Sequence, residues 1–243
     1  MRGGSGDVSE RPIIFGADMV QAILAGRKTM TRRLMKQQEA LNRAYRPIKA
    51  GNAVYNYAGE ELIERARFAV GDRLWVRETW QTGSSIDGPQ LSYRATPDFF
   101  SIDAWDGIDY GAGPSFNYAR CPGARWDNWL PDVISNDGPW RSPIHMPRWA
   151  SRLKLSVTEV RVERLQDISD SDAFAEGVGE TEFYDAAERS VSAGAPWAVE
   201  RLAFANLWGN IHGQAAWDLN PWVAAVCFTV ESPADVSHTR GTE

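Results

Sequence analysis

Apolar positions in this chain fall into short alternating runs, broken by two helical patches and by long polar stretches. Pro12 to Phe15 reads as a short strand. It feeds an amphipathic helix from Asp18 to Ala25, in which Met19, Ala22, Ile23 and Leu24 share one face at spacings of three and four. Asp18 suits the N-terminal cap, and Gly26 stands where a left-handed residue ends a helix. In Val70 to Trp80 a Gly-Asp turn precedes Leu74, Val76 and Thr79, which alternate with Trp75, Arg77 and Glu78. That predicts one strand with a bulge near its end. Leu91 to Ala95 is a second short strand. Leu153 to Leu165 is the best strand of the chain, with Leu155 and Val157 in phase and a slip near Glu159 that restores Val160 and Val162. Asp167-Ile168-Ser169 caps a helix from Asp170 to Glu176, ended by Gly177. Trp197 to Trp208 predicts another helix, and Trp222 to Val230 a closing, largely buried strand. Leu74, Val76, Leu155, Val157, Val226 and Phe228 are the expected core.

The polar stretches set the domain plan. Residues 34–67 read as an insertion with at most a small hairpin, and residues 83–140 as a second insertion. Within it, residues 96–140 lack any sustained period but carry many aromatics, which suits an excursion that walls or covers a pocket. Two prolines keep residues 140–152 extended, with a short helical turn at the end. Tails at residues 1–10 and 232–243 are expected to be loose. Short strands with helices in their connections, and no strand–helix–strand alternation, predict an α+β fold. The expected form is a small mixed β-barrel with flanking helices spanning residues 11–231.

Composition narrows the chemistry. The 243 residues carry a net charge of -6, which argues against a general nucleic-acid coating protein. Eleven tryptophans supply aromatic surface for both a core and a cleft. Two cysteines, Cys121 and Cys227, and three scattered histidines form no ligand spacing, so no metal and no cofactor is expected. No apolar run has membrane length and no signal peptide is visible, so a cytoplasmic protein is expected.

Against the acidic whole, Arg27, Lys28, Arg32 and Arg33 crowd into seven residues with Thr29 and Thr31 between them. A solvated cationic turn, a phosphate-binding patch and a catalytic lysine all fit those residue types. A free lysine near pKa ~10.4 is a poor base at neutral pH. Neighbouring cations and burial would depress it, and a depressed lysine beside a threonine hydroxyl makes a nucleophile without histidine.

Leu24 to Arg33, with its Gly-Arg-Lys-Thr-x-Thr run, resembles the signature of the ASCH domain, a compact β-barrel related to the PUA RNA-binding fold. Val70 to Val76, Leu153 to Gly177 and Trp222 to Val230 resemble the family's later elements. The whole, Ile144 to Arg152 included, is similar to larger ASCH-type proteins of phages and prophages. Some small members hydrolyse N4-acylcytidines with a lysine, a threonine three positions on and a helix glutamate. The resemblance places these on Lys28, Thr31 and Glu176, the last open to confusion with Asp170 or Asp172 if the alignment slips. It implies amide hydrolysis of a small nucleoside, with Arg27, Arg32 and Arg33 lowering the lysine's pKa or stabilising the oxyanion. Trp75, Trp80 and Tyr93 are the candidates for stacking on the base. The rival readings are an RNA or modified-nucleic-acid binding module without chemistry, and a ribonuclease.

Overall fold

The computed structural model describes residues 9–36, 38–44, 47–50, 53–56, 66–85, 88–101, 105–109, 114–116, 140–195 and 197–231. Residues 1–8 and 232–243 of the expected tails, and Cys121, lie outside them. Glu10, assigned to the tail, instead opens strand β1, Glu10–Ile14. Helix α1, Ala17–Leu24, follows, with Asp18 inside its first turn and not at the cap, because Gly16 already accepts the Val20 amide at 3.0 Å. Strand β2 is Met30–Leu34.

The first insertion carries helix α2, Gln38–Ala44, in addition to the expected hairpin, β3 (Pro47–Ala50) with β4 (Ala53–Asn56). The single strand expected over 70–80 is two: β5, Arg73–Arg77, and β6, Trp80–Ser85. Strands β7 (Gly88–Tyr93) and β8 (Thr96–Ser101) complete a three-stranded meander with β6. Strands β9 (Trp105–Asp109) and β10 (Pro114–Phe116) pair with each other, so the stretch expected to lack regular structure carries three strands. Strand β11, Lys154–Arg164, breaks its burial alternation at Thr158 and Glu159, as the sequence pattern anticipates. Helix α3, Asp170–Ala173, runs straight into a wide π-turn, Phe174–Val178. Helix α4, Glu182–Ser192, was not anticipated; helix α5 is Val199–His212 and strand β12 is Trp222–Val230.

The fold is mixed α+β around a five-stranded sheet in the order β1-β5-β11-β12-β2. Among the described residues no pairing joins its first and last strands. Leu74, Val76, Leu155, Val157, Val226 and Phe228 are all buried. The chain divides into two compact units: Met1–Ser9, Ala22–Asp72 and Ser156–Thr229, and Glu10–Gln21, Arg73–Leu155 and Val230–Glu243. In the first unit, α4 and α5 close over an apolar cluster that includes Leu165, Ile168, Val178, Phe204, Trp208, Trp217 and Val223. In the second, β1 lies parallel to β5, with Ile13 opposite Val76. No helix among the described residues is long and apolar enough to cross a membrane.

Candidate active site

The cationic turn is shaped by how α1 stops. Gly26 takes φ +72, a conformation that costs glycine nothing, and the amides of Arg27 and Lys28 both fold back onto the Ala22 carbonyl at 2.9 and 3.0 Å. The chain then enters β2, which pairs antiparallel with β12: Thr31 faces Val226, Arg32 faces Ala225 and Arg33 faces Ala224. Those bonds fix which side each cation takes.

The second part of the site comes from the turn after β11. The Ser169 side chain caps α3 by accepting the Asp172 amide at 3.1 Å. The following π-turn widens the helix, and Gly177, at φ +84, sits flat against the lysine. A Cβ there would lie 2.9 Å from Lys28 Cβ and 3.0 Å from Ala22 Cβ. The Thr29 amide donates to the Ala175 carbonyl at 3.0 Å, stitching the two segments together. Only a residue without a side chain allows this approach.

Lys28 and Glu176 thereby meet out of solvent, 1% and 4% exposed. The lysine Nζ donates to Glu176 Oε2 at 2.8 Å and to the Glu176 carbonyl at 2.7 Å. Burial pushes the Lys28 pKa below the ordinary lysine value; Glu176 opposes that shift, and Arg33 and Arg32 add to it. Thr31 is buried on β2, three residues along. Arg32 is buried too, and donates to Glu176 Oε1 at 3.2 Å, to Asp172 Oδ2 at 2.9 Å and to Glu163 Oε1 at 2.6 Å. Burial alone would raise the Asp172 carboxyl, but Arg161 and Arg32 outweigh it and hold it low.

Arg33 is half-buried, and its charge is felt at Lys28 and at His212, whose imidazole is held below its usual range first by burial and then by this arginine. His212 also stacks on Trp208 at 4.2 Å between ring centres. Arg27 turns outward, its Nη1 on the Gly179 carbonyl at 2.8 Å and its Nε 3.5 Å from Glu180. The aromatic candidates belong to the second unit. Trp75 is half-buried beneath the Arg77 guanidinium, 5.3 Å from the ring centre. Trp80 and Tyr93 are 2% and 0% exposed, one packed edge-on against Trp149, the other donating its hydroxyl to the Ala150 carbonyl at 2.8 Å. Both are core aromatics of that unit.

Glu163, Arg161, Trp208 and His212 were not singled out from the sequence. Glu163 and Arg161 share one face of β11 by simple alternation, and that was the available signal. Compared with protein-family models, with curated proteins and with solved structures, the chain finds no match in any of the three. The chemistry therefore rests on the site itself. A lysine whose proton is loosened by burial, in contact with a carboxylate, can exchange a proton during a reaction without metal or histidine. Among the described residues no group of three or more His, Cys, Asp or Glu side chains could hold a metal ion.

Proposed function

We propose that this protein is an amidohydrolase that removes the acyl group from N4-acylated cytidine or cytosine nucleosides. The observation that carries the reading is the buried contact of Lys28 Nζ with Glu176 Oε2 at 2.8 Å, between residues 148 positions apart. In the proposed reaction neutral Lys28 takes the proton of Thr31 Oγ, which attacks the acyl carbonyl or orders the water that does. The carbon–nitrogen bond then breaks, Glu176 relays a proton to the departing N4 amine, and where Thr31 itself has attacked, a water hydrolyses the acyl-threonine ester, releasing the carboxylic acid and returning the proton to Oγ. Cytosine leaves readily because its ring delocalises the departing electron pair. Arg33 is the candidate for stabilising the developing oxyanion.

The same reading takes the five-stranded sheet with its flanking helices as part of a PUA-like barrel of ASCH type. The strand–helix–turn–strand path from β1 through Gly26 to β2 supports it. A phosphate-reading turn has less support, because Lys28 and Arg32 are buried against carboxylates. Incubation of the purified protein with N4-acetylcytidine or N4-benzoylcytidine, followed by ultraviolet absorbance, tests the proposal. Conversion to cytidine is expected, and a flat absorbance trace at high enzyme concentration overturns it.

A further inference from the structure

Arg32 reaches three carboxylates, Glu176, Glu163 and Asp172, whereas the resemblance gave it only a share, with Arg27 and Arg33, in lowering the lysine's pKa or stabilising the oxyanion. Its guanidinium lies 5.8 Å from the ring centre of Phe204, at the edge of the first unit's core. Glu176 divides its carboxylate between two cations, Oε2 to Lys28 at 2.8 Å and Oε1 to Arg32 Nη1 at 3.2 Å. Negative charge drawn toward Oε1 is withdrawn from the oxygen that holds the lysine proton. Glu163 and Asp172 compete for the same guanidinium, at 2.6 and 2.9 Å from Nη2. Arg161 in turn takes Asp172 at 2.5 Å and stands 3.5 Å from Glu159.

We propose that Arg32 is a positioning residue for this site: it fixes Glu176 by one oxygen and so sets how tightly the other holds the proton on Lys28. The groups that face the lysine are Glu176 from the π-turn and Arg32 and Arg33 from β2. Behind them stand Glu163 and Arg161 on β11, Asp172 on α3, and Arg67 and His212 beside Arg33. Within this set Arg32, Arg33, Arg161 and Arg67 stand against the carboxylates Glu163, Asp172 and Glu176. The meaning of this device in catalysis rests on the amidohydrolase reading; its measurement does not.

The test is the titration of Lys28 in the full chain, followed by NMR of its Cε–Nζ group, with hydrolysis of N4-acetylcytidine measured in parallel. Arg32→Gln is expected to raise the Lys28 midpoint by about one pH unit or more, the size of a lost neighbouring charge. Asp172→Asn is expected to lower it by releasing the guanidinium to Glu176, and that lowering should vanish in the Arg32→Gln background. A lowering that persists in that background shows a direct field from Asp172 and overturns the proposal. Where Arg32→Gln fails to fold, Asp172→Asn and Glu163→Gln decide, and unmoved midpoints in both overturn it. Midpoints that move as expected in a protein without hydrolase activity would remove the reaction and leave the positioning. Hydrolysis with unmoved midpoints would do the reverse.

Discussion

At the residue scale, the site turns on whether Lys28 works as a base. Lys28→Ala and Thr31→Ala should each lower turnover of N4-acetylcytidine at least ~10²-fold, and the double variant should cost little more. Lys28→Arg should fail as well, because a guanidinium keeps its proton. Activity close to wild type in Lys28→Arg would end the assignment. Steady-state kinetics, with circular dichroism to show that each variant folds, makes the measurement. The lowered pKa of Lys28 also has a stability signature. In the unfolded chain the lysine titrates near ~10.4, whereas in the folded chain it loses its proton earlier. Between those two values the unfolded state binds more protons, so stability contributed by this group rises with pH until the ordinary value is passed. Denaturant unfolding at several alkaline pH values should show this rise in the wild type and its loss in Lys28→Met. Parallel slopes in the two proteins would mean that the lysine titrates ordinarily.

At the scale of elements, the π-turn decides the site. Gly177→Ala forces a side chain into a left-handed conformation and against Lys28 Cβ and Ala22 Cβ. We expect a loss of about 2 kcal/mol or more in unfolding free energy, together with lost hydrolysis. Thermal unfolding and activity assays check both, and an unstrained alanine variant would show that the turn has room. The sequence made some of this legible. Helix α1 and Gly26 were readable because a local period and a local stop signal agree. Strand β11 was readable because even its slip follows the side-chain alternation. The break between β5 and β6 was not, since Glu78 takes an apolar phase position after Leu74 and Val76. It is buried there against Arg152 at 2.8 Å, and a sequence offers no sign that a carboxylate will be matched so far along the chain. Helix α4 was missed because its inward stripe is carried by Phe183, Tyr184 and a buried Ala187 amid polar neighbours. Lys28 and Thr31 stood out as residues, and Glu176 through resemblance. The wide turn that brings Glu176 to the lysine depends on packing against Gly177, which no local pattern encodes.

At the scale of the whole molecule, the net charge of -6 and the burial of Lys28 and Arg32 act in the same direction. Fluorescence anisotropy with a single-stranded RNA at physiological salt should show no binding tighter than about 10⁻⁴ M, the weak end of non-specific association. Tight binding that falls steeply with salt would favour a nucleic-acid reader. Hydrolysis of an uncharged nucleoside should change little over the same salt range. The long reach of the site has one more consequence, for the time at which activity begins. Lys28 and Glu176 lie 148 residues apart, and β2 has its partner in β12, near the end of the described chain. During synthesis the lysine emerges early, in water and without its glutamate, as an ordinary surface cation. Its burial and its contact with Glu176 belong to the folded chain, in which β2 is paired with β12. On the amidohydrolase reading, a chain that still lacks β12 is expected to be inactive until the sheet is complete.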